Sequence, residues 1–284
     1  MIHIDIDSSE IGRAYPPEVG IVSDAKLALE QLVEEMKSLD VKPDRWASWR
    51  AELQGWKKEW EESVAAIRNS EQSPLGYGRV CHEVSRLLNE SYPEASVLVD
   101  TGHLLSYAPG FYKVLQPTFQ HCGFFHRMGW SLPAALGTRV ARPEHPVVAL
   151  IGDGSFLFTS STLATAYEYD IPVIAVVMNN RTLQIERELM NRLYGRVSFC
   201  DFQKQSSGEP WNPDLLGIAR AMGAGAKKVK TPTELVPAMK EALEAKTSYV
   251  LDVEIDAKTP GYRSVWYPYP NNFWTPKEEI AKHF

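Results

Sequence analysis

Two apolar runs separated by a helical stretch, each ending in a polar turn, fill the segment from Val147 to Arg181 and constrain the fold more than any other part of the chain. The first run, Val147 to Ile151, stops at Gly152-Asp153-Gly154 and reads as a buried strand that delivers its last residue to the edge of a sheet. Ser155 to Tyr169 has helical character, with helix formers and small residues from Leu163 to Tyr167. Ile171 to Met178 is enriched in β-branched residues and predicts a second buried strand, ending at Asn179-Asn180. A strand, a crossover helix and a parallel strand leave both strand ends on one side, where ligands of open parallel sheets bind. Asp153 and Asn180 are therefore expected to converge, in an α/β fold built on an open parallel sheet flanked by helices.

The residue types at that point of convergence favour a particular ligand chemistry. Asp153 offers a hard anionic oxygen and Asn180 a neutral amide oxygen. Gly152 and Gly154 let the backbone come close, and the amides of Gly154 and Ser155 are expected to face a phosphate at a helix N-terminus. Mg²⁺ prefers about six oxygens and completes its shell with substrate phosphates and water, so two side chains suffice. No G-x-G-x-x-G with an acidic residue downstream follows a strand, which sets a nicotinamide-binding domain aside.

Gly-Asp-Gly, an apolar spacer and Asn-Asn together resemble the diphosphate signature of thiamine diphosphate enzymes. The chain is similar to the C-terminal, pyrophosphate-binding half of acetolactate synthase-like and 2-hydroxyacyl-CoA lyase-like members. The resemblance implies thiamine diphosphate and Mg²⁺ as cofactors, with the metal on Asp153, Asn180 and the backbone carbonyl of Thr182. His126 to Gly137 resembles the segment in which a Met props the coenzyme into a bent shape, so that its 4'-amino group approaches C2 of the thiazolium. Met128 would be that prop, and the carbonyl of His126 would accept from the amino group. The family commonly has Gly at this place, so the His126 side chain is a departure and a candidate for the substrate pocket. Thr101-Gly102-His103 resembles a further diphosphate-contacting segment, in which His103 would donate to a phosphate oxygen. Leu183, Gln184 and Ile185 follow the metal ligands where the family lines its pocket, ahead of charged Glu186, Arg187 and Glu188. Gln184 joins His126 as a candidate catalytic residue. Thr162 stands where acetolactate synthases often have Glu, which bears on the product but not on cofactor binding.

The same resemblance implies something these residues do not carry. Such enzymes ionise the coenzyme with a Glu from a separate pyrimidine-binding domain, and 284 residues leave no room for it. Met1 to Asp7, with its strand-like alternation, and the helix leading through Met36 resemble the end of the family's central domain. Forty residues are too few to bury such a core alone. The expected organisation is a central-domain remnant at 1–40, a helical linker at 41–73, the pyrophosphate and Mg²⁺ domain at 74–260, and an aromatic tail or lid at 261–284. The expected partner is a second chain with the pyrimidine domain and most of the central domain, in an α2β2 or larger hetero-oligomer. A native split and a piece of a longer protein are both open, and Met1 in front of an intact strand favours the split. FAD or ADP finds no support in this chain. The function expected is C–C bond lyase or carboligase chemistry on a small 2-oxo acid or 2-hydroxyacyl substrate. A 2-oxo acid decarboxylase subunit and a catalytically silent scaffold are the alternatives.

Composition excludes several other classes. A net charge of -6 and a pI near 5.7 offer nothing to nucleic acid or an anionic membrane. The apolar runs fall short of the roughly 20 residues a membrane span needs, and the expected location is cytoplasmic. Cys81, Cys122 and Cys200 are widely spaced and are expected to be reduced. Trp46, Trp49, Trp56 and Trp60 recur at helical spacing and read as a packed connector. Tyr77 to Leu88 is expected as a helix before a Val97 to Asp100 strand. Asn212-Pro213-Asp214 starts another helix, and Thr231 to Glu234 starts a third with a capping box. Tyr249 to Ile255 is the closing strand. His121 and His126 are candidates for acid–base steps, since imidazole titrates near neutrality. Tyr262, Trp266, Tyr267, Tyr269, Phe273 and Trp274 make the tail either a lid over the site or a strap on a partner.

Overall fold

The computed structural model describes residues 1–39, 43–123 and 125–259, so the expected aromatic tail lies outside the described residues. Chain contacts divide the molecule into two units, one from Met1 to Ser63 and one from Val64 onward.

In the first unit, β1 (Ile2–Asp5) and β2 (Val19–Val22) pair in parallel, Ile2 against Val19 and Asp5 against Val22. Asp24 caps α1 (Ala25–Ser38), its carboxylate accepting from the amides of Lys26 and Leu27 and satisfying donors that the first turn cannot. A 3₁₀ turn, Pro43–Trp46, precedes α2 (Ala47–Arg68), whose residues from Val64 on belong to the second unit. Trp46 therefore lies outside the helix that carries the other three tryptophans; Trp49 and Trp56 meet edge-on at 5.7 Å.

The second unit runs α3 (Tyr77–Ser91), β3 (Ser96–Val99), α4 (Leu104–Phe111), β4 (Thr118–His121), α5 (Ser131–Ala141), β5 (Val147–Gly152), α6 (Asp153–Thr159), α7 (Thr162–Glu168), β6 (Ile174–Asn179), α8 (Gln184–Tyr194), α9 (Leu215–Ala221), β7 (Gly225–Val229), α10 (Pro232–Glu244) and β8 (Tyr249–Glu254). Its six strands are all parallel, in the order β4-β3-β5-β6-β8-β7. The middle strands β3, β5, β6 and β8 are the apolar ones, as strands covered on both faces must be, and Leu98, Leu150, Val176 and Leu251 are fully buried. Leu132, Phe156, Leu163, Leu215 and Val250 pack in the layer between one sheet face and its helices.

Three expectations need correction in detail. Ser155 to Tyr169 is two short helices rather than one, because the chain breaks at Ser160-Ser161 and re-forms as α7. The strand from Tyr249 does not close the sheet at its edge: β8 inserts between β6 and β7. β4 and β7, the two edge strands, had no counterpart in the sequence reading, since Thr118-Phe119-Gln120-His121 and Gly225 to Val229 with two lysines lack an apolar run. The start of α10 matches expectation, the Glu234 carboxylate accepting from the amides of Lys230 and Thr231.

Candidate functional site

β3, β5 and β6 are neighbours, so the residues that leave their carboxyl ends meet at one edge of the sheet. There a cavity of about 590 Å³ opens, lined by Gly102, His103, His126, Met128, Gly152, Asp153, Gly154, Ser155, Asn180, Thr182, Leu183 and Gln184, together with Ile185 and Glu186. Its volume falls within the range common for small-molecule sites, roughly 300–1,000 Å³. Every site residue expected from the sequence lines this cavity, although the residues come from four separate stretches of chain.

Asp153 is the centre of the arrangement. It opens α6 directly after β5 and is 3 % exposed. One carboxylate oxygen accepts from the Gly154 amide at 2.8 Å and the other from the Arg181 amide at 2.7 Å, so the acid ties the end of β5 to the turn after β6. Burial pushes its pKa up to about 7, against the pull of those two amides. Asp252 adds like-charge repulsion in the same direction. Among the described residues no cation pairs with it. A buried carboxylate with hydrogen bonds but no counter-charge is costly, and a bound cation would remove that cost.

The turn after β6 is as constrained as the acid. Arg181 takes a left-handed φ of 58°, and its guanidinium reaches Glu254 at 3.3 Å. Asn180 is buried; its amide oxygen accepts from the Thr182 amide at 3.2 Å, while its amide nitrogen has no partner among the described residues. The Thr182 hydroxyl donates to the Cys200 carbonyl at 3.3 Å, which holds the segment entering α8. No group of three or more His, Cys, Asp or Glu able to hold a metal exists among the described residues. A cation here would rest on one carboxylate, amide or carbonyl oxygens, and oxygens of its own ligand. That donor set suits Mg²⁺, which is bound through one or two carboxylates plus phosphate oxygens. The site thus fits the metal that the sequence implies.

Glycine at 154 leaves room for close approach of two side chains. A Cβ there would lie 2.8 Å from Leu183 Cδ2 and 3.1 Å from Met128 Cε, so these two side chains cover the turn and leave its backbone as a narrow cradle. Met128 is held by a residue that the sequence reading missed. Asp100, fully buried at the end of β3, accepts from the amides of Thr101, Gly129 and Ser131 at 2.9, 3.0 and 2.7 Å. The signal was an acid immediately after a buried strand, the same signal that singled out Asp153.

His126 has a left-handed φ of 46°, a conformation in which glycine is unstrained and most other residues are not. Its ring stacks at 6.4 Å with that of His121, and both line the cavity. Gln184, also in the lining, is buried and donates to Glu188 at 3.1 Å, while its amide oxygen lacks a partner among the described residues. Glu188 also approaches His103 Nε2 at 3.7 Å. Tyr77 meets His103 edge-on at 5.1 Å, and burial raises its hydroxyl pKa well above the usual value. Tyr77 was not expected at the site, since it belongs to no recognisable motif, whereas Glu188 lies in the charged stretch after the expected metal ligands that the sequence singled out. No helix among the described residues is long and apolar enough to cross a membrane.

Comparison with known proteins agrees with this geometry. Residues 100–253 match the family model described as thiamine pyrophosphate enzyme, C-terminal TPP binding domain. The chain is 32% identical over 263 residues to a probable acetolactate synthase large subunit of Methanocaldococcus jannaschii, covering 90% of this chain and 42% of that protein. It is 31% identical over 248 residues to the acetolactate synthase isozyme 3 large subunit of Escherichia coli, covering 86% and 41%. With acetolactate synthase 2, chloroplastic, of Nicotiana tabacum it shares 32% identity over 257 residues, covering 89% and 38%. The chain thus spans about two fifths of the length of these relatives.

Proposed function

The chain belongs to the thiamine pyrophosphate enzymes through its C-terminal TPP-binding domain, and from that premise we propose that it is the cofactor-anchoring part of a Mg²⁺-dependent C–C bond lyase or carboligase. The observation that carries the reading is the convergence of a buried carboxylate with no cation partner among the described residues, Asp153, with Asn180 and Thr182 beneath a cradle walled by Met128 and Leu183.

Asp153, the Asn180 side chain and the Thr182 carbonyl would hold Mg²⁺. The Gly152-Asp153-Gly154-Ser155 turn, with Gly102 and His103 opposite, would take the diphosphate. Bound thiamine diphosphate supplies the electron sink for breaking or making a C–C bond beside a carbonyl. The chain's own residues then have four tasks. Asp153 needs to be ionised to meet the dication, which is why its raised pKa matters. Met128 would prop the coenzyme, and Asp100 fixes the loop from which Met128 projects. Leu183, Ile185 and Met128 keep water from the reacting face. His126 is placed to exchange protons with a substrate oxygen, and the open amide oxygen of Gln184 to accept from a substrate hydroxyl.

A Glu contacting the pyrimidine lies outside these residues on this reading. It comes from a partner chain carrying the pyrimidine-binding domain and most of the central domain, or from further sequence of the same polypeptide. The acetolactate synthase relatives favour carboligation of a 2-oxo acid, and Thr162 in place of a common Glu keeps cleavage of a 2-hydroxyacyl substrate alongside it.

Calorimetric titration of thiamine diphosphate with Mg²⁺, into the chain alone and into its complex with the partner, tests the reading against Asp153→Ala. Binding that needs Mg²⁺ is expected. The variant should lose more than the roughly 10- to 100-fold typical of residues one step further from a metal. Binding unchanged in the variant, or absent from both samples, would leave the scaffold alternative standing.

A further inference from the structure

A charged chain of contacts runs through the sheet behind the cofactor cavity, and nothing in the proposed chemistry uses it. Asp252 lies on β8 with its side chain in the layer that holds Val177, Leu215, Ala219 and Val250, and it is 6 % exposed. One of its oxygens accepts from Lys228 Nζ at 2.9 Å, across a register in which Lys228 and Asp252 are directly paired. The other accepts from the Asn179 amide nitrogen at 2.9 Å. The Asn179 amide oxygen accepts in turn from Asn212 at 2.8 Å, just before α9. Four side chains from β7, β8, β6 and the α9 approach are therefore joined in series.

Parallel strands buried on both faces are stable with apolar residues alone, and replacing a buried ion pair by apolar residues of similar volume is often neutral or stabilising. What the chain does is to bond both ends of the Asn179 carboxamide, so that the side chain can neither rotate nor leave. Asn179 is the last residue of β6, and its carbonyl accepts from the Ile255 amide at 2.9 Å. Side chain and backbone of Asn179 are both anchored on β8 and its extension. From this point the chain turns through Asn180 and left-handed Arg181 to Thr182, with the Arg181 amide delivered to Asp153 at 2.7 Å. A turn carrying an unfavourable φ persists only where its surroundings over-determine it.

We propose that Asp252, neutralised by Lys228, is a positioning residue: by accepting from Asn179 it sets the geometry of the Asn179–Thr182 turn and hence the oxygens offered to the Mg²⁺ diphosphate. The inference rests on the proposed roles of Asp153 and Asn180. Lys228 makes the carboxylate affordable so close to Asp153; the acceptor for Asn179 is the working part.

Two double variants separate acceptor from charge, since both remove the ion pair. K228M/D252N keeps an oxygen for Asn179, and K228M/D252L does not. Mg²⁺-thiamine diphosphate is titrated into each, in the assembly in which the parent binds it. The Leu variant is expected to bind about 10- to 100-fold more weakly, the range seen when residues that orient metal ligands are removed, and the Asn variant within about threefold of the parent. Equal losses in both, or none in the Leu variant, would overturn the proposal. Amide hydrogen exchange across 179–182 provides a reading free of cofactor. Faster exchange in the Leu variant alone is expected whether or not the parent binds, so that absent binding counts against the function and unchanged exchange against the positioning role.

Discussion

Helices α1 and α3 are of similar length and both carry apolar residues at helical spacing, yet their fates differ. α3 buries Tyr77, Val80, Cys81, Val84, Leu87 and Leu88. α1 buries only Ala28, while Leu27, Leu29, Val33 and Met36 are each about half exposed. β2 likewise leaves Val19 and Val22 open, whereas β5 and β6 expose nothing apolar. The lesson is that an amphipathic pattern belongs to the sequence, but burial belongs to the neighbours. The unit from Val64 onward contains its own cover, and among the described residues the unit from Met1 to Ser63 does not.

The sharpest way to break that contrast is to remove volume from the better-covered unit. Leu150 is fully buried in β5. Leu150→Ala should cost about 2–5 kcal/mol by chemical denaturation, from lost transfer energy plus the cavity left in a packed interior. Leu29→Ala, the same chemistry on α1, should cost far less in the chain by itself. Equal costs would mean that the first unit has a core of its own and that the contrast is false.

A smaller effect concerns Asp153, one of the acids buried in the covered unit. Burial holds the Asp153 pKa near 7, above the ordinary value of 3.8. Between pH 4 and 7 the folded chain therefore keeps a proton that the unfolded chain has released, and metal-free stability should fall as pH rises through that window, then level off. Asp153→Asn should flatten that slope without Mg²⁺, at the cost of one acceptor, since its amide nitrogen cannot replace a carboxylate oxygen in accepting from the Gly154 or Arg181 amide. Thermal melts of both proteins across pH 4 to 8 would check this, and a parallel slope in the variant would assign the pH dependence elsewhere.

Much of this was legible in the sequence, for reasons that differ by residue. β5, β6 and their polar ends were readable because a fully buried parallel strand has to be continuously apolar and its ligand-bearing turn has to be polar. The cap at Asp24 and the box at Thr231 and Glu234 were readable because capping is local. β4 and β7 were not, since edge strands tolerate Gln, His and Lys and show no apolar run. Nor was the position of β8, because strand order depends on where crossovers land rather than on any one segment. At the site, Met128, Asp153 and Asn180 stand in motifs with a spacing. Asp100, Tyr77 and Asp252 make contacts between distant segments, which only folding brings together.

The smallest expected effect is also the one that bears most directly on what the first unit is for. Leu29 and Val33 lie one turn apart on α1, both more than half exposed, beside Lys26, Glu30, Glu34 and Lys37. Changing both to Ser should shift the stability of the chain alone by less than about 0.5 kcal/mol per site, as for surface positions generally, because water already solvates them. In the complex proposed to supply the pyrimidine-binding domain, the same two changes would place hydroxyls where apolar surface is removed from water, at about 25 cal/mol per Å² buried. The measurement is sedimentation of parent and variant with and without the partner, alongside melts of the isolated chains. Weakened association with unchanged melting assigns the α1 face to the interface. Unchanged association would locate the partner's contact elsewhere on the molecule, and a lowered melt of the isolated chain would show that α1 already has cover within it.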